Sequence, residues 1–285
     1  MATPVAPGLL KIGQPGGADR RTSGRPGAPE LTARLLGTFR ATVDGVPVDT
    51  ALRRRPRELL AYLLTHRRYP APRDVMMEAF WPAAPPAAAR NRLHVALSGV
   101  RQALRAASPY PFIERRFDTY RIADSVAVWT DLEQFEQTCN DGQLAHRAGD
   151  HDAAIRCFEA ASQLYESDFL ADEPYLEWAA TRRESLRMQA VEIQDALMTC
   201  YLARGDHGPA TILGRQILTM DPCNEQVHRR LMTCYAATGQ RHLALWQYHR
   251  LATTLWKTFR VTPSAETLHL YGVLRRQRAH QTRSA

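Results

Sequence analysis

The chain has 285 residues, which is enough for about two domains of ordinary size. Hydrophobic residues make up 45% and charged residues 23% of the sequence, and this composition excludes a wholly disordered, collagen-like or membrane-embedded chain. The net charge of +8 is unevenly distributed, with +10 in residues 1–125 and −2 in the remainder. A basic half joined to a nearly balanced half indicates that the first half binds a polyanion and that the second has another role.

Cysteine and histidine usage predicts neither disulfides nor a metal site. The five cysteines all lie in the second half without a Cys-x-x-Cys pair, and no two histidines are three or four residues apart. We therefore expect reduced thiols, no zinc site built on one helix and no cofactor, while the sequence leaves open whether cysteines and histidines of different helices meet in space. The sequence also lacks a run of about 18 apolar residues and a signal-peptide core, so we expect a cytoplasmic protein without membrane contact.

The first 125 residues predict a disordered tail followed by a small α+β domain. Residues 1–30 contain five prolines and six glycines, a composition that cannot build a core. Apolar and polar residues then alternate over residues 31–43, which predicts a strand, and Asp44-Gly45 predicts a hairpin turn. Three helical segments begin near Pro56, Pro72 and Ala87, each with apolar residues at helical spacing.

A second hairpin closes this region, with its turn predicted at Asp118-Thr119. Strands, three helices and a terminal hairpin in this order predict a winged helix-turn-helix domain over residues 31–124. In such domains the third helix enters a DNA groove and the hairpin, or wing, flanks it.

The outward face of the third helix is the strongest functional feature. Arginine matches the acceptors of guanine and asparagine matches adenine, so this face is suited to reading base edges in a major groove. An ordinary solvated helix face is the alternative. The candidate base contacts are Arg90, Asn91, His94, Ser98 and Arg101. The candidate phosphate or wing contacts are Arg54 and Arg55 at the start of the first helix and Arg115, Arg116 and Arg121 in the hairpin.

The second half predicts an all-α, tetratricopeptide-like repeat domain over residues 129–278. Gly149, Gly205 and Gly239 are each followed by an alanine five residues later, and the last two glycines are 34 residues apart. A period of 34 is typical of helix-turn-helix repeats. The whole chain is thus predicted to be mainly α. No nucleophile elbow, Walker motif, dinucleotide-binding fingerprint or His-Glu-x-x-His motif is present, so the sequence predicts no enzyme and no catalytic residue.

Two groups of residues resemble one known family. The run from Ala89 to Arg101, with residues 113–116 and 120–122, resembles the OmpR-like winged helix of the Streptomyces antibiotic regulatory protein (SARP) family. In the second half, residues 165–170, Trp178, Asp221-Pro222 and residues 263–267 are similar to that family's bacterial transcriptional activation domain.

The resemblance implies a sequence-specific activator of a secondary-metabolite gene cluster, located at the nucleoid. It implies binding of double-stranded DNA at promoter direct repeats, self-association of copies side by side on that DNA, and recruitment of RNA polymerase. The wing turn lacks the glycine common in the family. The alternative function is a repeat-protein adaptor whose basic domain binds RNA or an acidic protein partner.

Overall fold

A computed structural model describes residues 28–276, so all but the end of the tail predicted for residues 1–30 lies outside the described part. The first half combines short strands with helices, and the second half is helical. The strands are β1 (Glu30–Arg34), β2 (Arg40–Val43), β3 (Val46–Pro47), β4 (Ala71–Pro72), β5 (Ile113–Arg116), β6 (Thr119–Ile122) and β7 (Ala127–Thr130). The helices are α1 (Arg54–Thr65), α2 (Arg73–Phe80), α3 (Pro86–Ala107), α4 (Asp131–Arg147), α5 (His151–Leu164), α6 (Glu177–Arg204), α7 (His207–Met220), α8 (Glu225–Ala237), α9 (Arg241–Phe259) and α10 (Ala265–Arg276).

The mainly α fold class is confirmed, with an α+β winged helix-turn-helix followed by helical repeats. None of the helices within residues 28–276 is long and apolar enough to cross a membrane.

A four-stranded sheet opens the fold, in the order β3-β2-β1-β7. β1 pairs antiparallel with β2 and parallel with β7. Leu31, Ala33, Ala41 and Val43 are buried, as the period-two pattern predicts for one face of a sheet. The predicted limits of the first domain are residues 31 and 124. The sheet extends beyond both limits, because β1 begins at Glu30 and β7 begins at Ala127.

The single strand predicted over residues 31–43 is wrong. β1 ends at Arg34 and β2 begins at Arg40. Between them Gly37 has a φ of +110°, a conformation that favours glycine. The odd-numbered positions from 31 to 43 are all buried, and Leu36 in the turn is buried as well, so the period-two hydrophobic pattern alone does not show where the chain reverses.

Helices α1, α2 and α3 form the helix-turn-helix core. The apolar stripes predicted for the first and third helices are buried: Leu59, Leu60, Leu63 and Leu64 on α1, and Leu93, Leu97, Val100 and Leu104 on α3. The two helices approach closely where a Cβ on Gly99 would lie 2.9 Å from Cγ of Pro56. This close packing fixes the direction in which the opposite face of α3 points.

The wing is the β5–β6 hairpin, with β4 paired to the other edge of β6. Its turn consists of Phe117 and Asp118 rather than the predicted Asp118 and Thr119, because Thr119 already pairs with Arg116. Phe117 takes the left-handed conformation with a φ of +51°. A non-glycine residue in this conformation carries a small strain.

The second half is a series of antiparallel helices joined by short turns. Gly149, Gly205 and Gly239 have φ values of +76°, +81° and +76°, and each stands just before α5, α7 and α9, respectively. Ala154, Ala210 and Ala244 are fully buried. The repeated glycines therefore lie in the turns between helices, and the repeated alanines are buried in the helices that follow.

The two halves share main-chain hydrogen bonds. The turn between β1 and β2 bonds to the segment before α6: the Gly37 N–H donates to the Asp168 carbonyl at 3.0 Å and the Leu170 N–H to the Leu35 carbonyl at 2.9 Å. The buried Asp131 carboxylate, at the start of α4, accepts from the N–H groups of Leu35 at 2.7 Å and Leu36 at 3.0 Å. Burial raises the pKa of Asp131, and these N–H donors counteract part of that increase.

The two halves also share one hydrophobic core. Trp178 in the first turn of α6 contacts rings from both: its ring centroid lies 5.1 Å from Tyr62 of α1, 6.2 Å from Phe80 of α2 and 6.2 Å from Phe169. Such aromatic pairs stabilise a contact beyond the area they bury. Most of the buried apolar residues in the described part of the chain form one cluster that runs from β1 to α10.

Candidate nucleic-acid interface

The face of α3 opposite its buried stripe carries the predicted base contacts. Arg90, Asn91, His94 and Ser98 are exposed, whereas Arg101 is only partly exposed. Their spacing of three or four residues places them along one side of the helix. The structure therefore brings all five predicted residues onto the outward side of α3.

Charge on this face is unopposed within the described part of the chain. α3 contains no acidic residue. In residues 28–276, no carboxylate lies within 4.0 Å of the guanidinium groups of Arg90, Arg92, Arg101 or Arg105, the distance that defines an ion pair here. These guanidinium groups keep their donors available for an external acceptor.

Helix α3 lies between the other two predicted basic elements. On one side, Val95, Ser98 and Gln102 of α3 line an open groove together with Arg53, which precedes α1. On the other side, Arg101 and Arg105 lie beside residues 110–113, which lead into the wing. The start of α1 and the base of the wing therefore flank the α3 face, as a duplex-binding surface requires.

The arginines at the start of α1 are partly neutralised. Arg54 Nε donates to Glu58 Oε1 at 2.9 Å, and Arg55 Nη1 donates to Glu58 Oε2 at 2.6 Å. Arg54 also contacts Glu173 at 3.3 Å. Glu58 is buried, while the two arginine side chains remain 66% and 49% exposed. Two guanidinium groups thus face two carboxylates, and they present little net positive charge near the amino end of the helix.

The arginines of the wing are also paired with acids. Arg115 contacts Asp118 at 3.4 Å and Arg116 contacts Glu114 at 3.7 Å. Arg121, directly opposite Glu114 in the β5–β6 register, is 18% exposed and also bonds to Asp124. Opposite charges facing each other across a hairpin stabilise it. The wing therefore offers less free positive charge than its three arginines suggest.

Two apolar side chains on this surface were missed by sequence reasoning. Val95 is 71% exposed beside His94, and Phe117 is 97% exposed at the wing turn. Val95 is four residues from Asn91, so helical spacing was the available signal. An exposed apolar group on such a surface can contact thymine methyl groups. No comparable pattern in the sequence distinguishes Phe117 from a core residue.

These features define a class of protein: a regulator with a winged helix-turn-helix joined to a helical repeat domain. Residues 130–275 match the family model described as "Bacterial transcriptional activator domain". The chain belongs to this family.

Two relatives and one solved structure support the assignment. The transcriptional regulatory protein MoaR1 of Mycobacterium tuberculosis is 25% identical over 247 residues, which are 85% of this chain and 78% of MoaR1. The regulatory protein DnrI of Streptomyces peucetius is 26% identical over 255 residues, 86% of this chain and 92% of DnrI. The structure of M. tuberculosis EmbR in complex with a low-affinity phosphopeptide superimposes with a TM-score of 0.73 at 26% identity, covering 87% of this chain and 66% of EmbR.

The chain is accordingly a SARP-type transcriptional regulator and not an enzyme. The SARP resemblance seen in the sequence is confirmed. The base and phosphate contacts remain predictions.

Proposed function

We propose that this protein binds double-stranded promoter DNA in a sequence-specific manner and activates transcription from it. The observation that supports this function best is the outward face of α3, which is basic, free of acids and unpaired within residues 28–276. A major groove admits such a helix, and its guanidinium and amide groups match purine edges. In this proposal Arg90, Asn91, His94, Ser98 and Arg101 contact bases.

The five candidate phosphate contacts differ in how much free positive charge they offer. Arg54 and Arg55 contribute little net charge, because they share Glu58 and Arg54 also contacts Glu173. Arg115, Arg116 and Arg121 orient the wing through their acidic partners and reach phosphate only where those pairs open. Phosphate contacts position the protein, whereas base contacts select the sequence.

The finer assignments follow the family resemblance. Residues 31–124 bind direct repeats in the promoter, with neighbouring copies side by side on the DNA. Residues 129–278 contact RNA polymerase. The target genes belong to a secondary-metabolite cluster, and the protein is located at the nucleoid.

Selection from a random duplex library tests the base contacts. The parent protein should enrich a defined motif in tandem copies, and Asn91→Ala or Arg101→Ala should lose discrimination at one or two base pairs. The expected loss is about 1–3 kcal/mol per position, or roughly 5- to 150-fold in relative affinity. Arg147→Ala is the matched control, because Arg147 is an exposed arginine in the second half.

Two results would contradict this proposal. Identical sequence preference in Asn91→Ala, Arg101→Ala and the parent would remove the base-reading role of α3. Preferential binding of RNA over duplex DNA of equal length would favour the adaptor function instead. Recruitment is tested separately by transcription in vitro: the selected promoter should respond to the full chain with bacterial RNA polymerase holoenzyme, and absence of a response would remove the activation step.

A further inference from the structure

Three side chains with metal-binding atoms meet at the turn between α4 and α5. His146 lies in the last turn of α4, His151 is the first residue of α5, and Cys200 lies near the end of α6. Their ligand atoms all lie within 4.8 Å of one another. Cys200 is fully buried, and both histidines are partly buried.

The spacing of these atoms suits a small metal ion. Zinc binds sulfur at about 2.3 Å and imidazole nitrogen at about 2.0–2.1 Å in a tetrahedron, so neighbouring ligand atoms lie roughly 3.3–3.6 Å apart. Cys200 Sγ and His146 Nδ1 are 3.2 Å apart. Small side-chain rotations therefore suffice to bring all three atoms around one ion.

The His151 ring has a nitrogen that no protein group within residues 28–276 occupies. Nδ1 of His151 is buried and has no hydrogen-bond partner in the described part of the protein. A buried polar atom without a partner is costly, and most such atoms in proteins are satisfied. His151 therefore reaches the cluster without giving up a hydrogen bond from Nδ1.

The surrounding carboxylates are already engaged. Asp150 caps the start of α5 by accepting from the Ala153 N–H, and Asp152 and Asp206 are both paired with Arg204. The site thus offers one thiol and two imidazoles rather than oxygen ligands. This donor set favours Zn²⁺ or Cu⁺ over Mg²⁺ and Ca²⁺.

We propose that His146, His151 and Cys200 bind one thiophilic d10 cation, Zn²⁺ or Cu⁺, and so tie together α4, α5 and α6. When the metal binds, the Cys200 S–H proton passes to solvent as the sulfur–metal bond forms. Zn²⁺ keeps a fourth position for water, whereas Cu⁺ is satisfied by three ligands. The expectation of no metal site considered pairs within one helix, and these three residues come from three helices.

Metal titration of the full chain tests the site. The protein is first treated with a chelator to remove any bound metal, and a phosphine keeps its thiols reduced. We expect one equivalent of Zn²⁺ or, under anaerobic conditions, Cu⁺ to bind and raise the Tm by about 5 °C at a hundredfold excess over Kd. Co²⁺, a spectroscopic substitute for Zn²⁺, should give a thiolate charge-transfer band. Mg²⁺ and Ca²⁺ should give no shift, and the tighter of Zn²⁺ and Cu⁺ identifies the cation.

Two variants and one internal control assign the ligands. Cys200→Ser should abolish the cobalt band although four other cysteines remain, and His151→Ala should weaken binding at least tenfold. Because Cys200 is buried and its replacement can impair folding, the partly exposed His151 provides the independent test. His207→Ala is the control: His207 begins α7 as His151 begins α5, also has an unpartnered buried Nδ1, and is not part of the cluster. Binding of less than a tenth of an equivalent, or unchanged binding in folded His151→Ala, would overturn the proposal.

Discussion

Glu58 sets the amount of free positive charge that the start of α1 presents. Its buried carboxylate accepts from Arg54 and Arg55, both proposed as phosphate contacts. A guanidinium group held by a carboxylate must exchange that partner for a phosphate before it contributes to DNA binding. Glu58 therefore affects how strongly Arg54 and Arg55 bind phosphate, although Glu58 itself does not contact DNA in the proposed complex.

Glu58→Gln should make binding to random-sequence duplex tighter and more sensitive to salt. Release of about one charge adds about one phosphate contact, which steepens the slope of log K against log salt concentration by about 0.9. Fluorescence anisotropy at four salt concentrations measures this slope. Glu192→Gln changes the net charge equally on the exposed surface of α6 and should leave it unchanged. Equal slopes for Glu58→Gln and the parent would show that Arg54 and Arg55 do not contact phosphate.

Only some of these ion pairs can be predicted from the sequence. Glu58 is three or four residues from its arginines, so helical spacing is sufficient to identify it. Glu173 is separated from Arg54 by 119 residues, and only the tertiary fold brings them together. The α3 face was predictable because all its residues belong to one helix, whereas the His146, His151 and Cys200 cluster depends on the packing of three.

At the scale of elements, α7 shows how glycine acts in two different ways within one helix. A Cβ at Gly214 would lie 2.8 Å from Met198 Cε and 2.9 Å from Leu231 Cδ2, whereas a Cβ at Gly208 would meet no atom within 4 Å. Gly214 thus permits close packing of α7 against α6 and α8. Gly208 has no such packing role.

The same substitution at these two positions should have opposite effects. Gly214→Ala should lower the free energy of unfolding by about 1–3 kcal/mol, because the added methyl group forces neighbouring side chains apart. Gly208→Ala should raise it by about 0.5–1 kcal/mol, because alanine loses less backbone entropy in a helix. Urea unfolding followed by circular dichroism measures both. Equal effects at the two positions would contradict the packing described for Gly214.

Helices were easier to predict than strands for a physical reason. A helix satisfies its backbone within one segment, so the spacing of Leu93, Leu97, Val100 and Leu104 is sufficient to locate α3. A strand forms its backbone hydrogen bonds with another strand. β7 pairs with β1, which lies nearly 100 residues earlier in the chain, and the four residues of β7 contain no signal that identifies this partner. The turn at Gly37 was missed because it depends on hydrogen bonds from the second half.

At the scale of the whole molecule, the shared core joins the proposed DNA-binding and activation regions into one folding unit. Trp178 belongs to α6 but contacts Tyr62 of α1 and Phe80 of α2. Independent domains joined by a linker would not share an aromatic cluster of this kind. We therefore expect one cooperative unfolding transition for the parent chain.

Trp178→Ala should separate this transition into two. Removal of the indole leaves a cavity where the halves meet and costs about 3–5 kcal/mol, so the halves should lose stability unequally. Calorimetry, with far-ultraviolet circular dichroism as a second probe, measures the number of transitions. Trp246→Ala is the control, since Trp246 is 58% exposed on α9. A single unaltered transition in Trp178→Ala would indicate that the contact is not needed for cooperativity.

The hydrogen bonds between the β1–β2 turn and the segment before α6 have a consequence for synthesis. The Leu35 carbonyl accepts a hydrogen bond from the Leu170 N–H, and Leu170 lies 135 residues later in the chain. This bond cannot form until the ribosome has made Leu170. At about 5–20 residues per second, the ribosome needs roughly 7–27 s to make this stretch. The first sheet lacks β7 until Thr130 has been made, and it lacks its final turn contacts until Leu170 has been made. A nascent chain arrested after residue 124 should therefore expose the unpaired edge of β1 to other chains. Exposed strand edges promote aggregation, so the incomplete chain should aggregate more readily than the folded protein, in which β7 covers this edge.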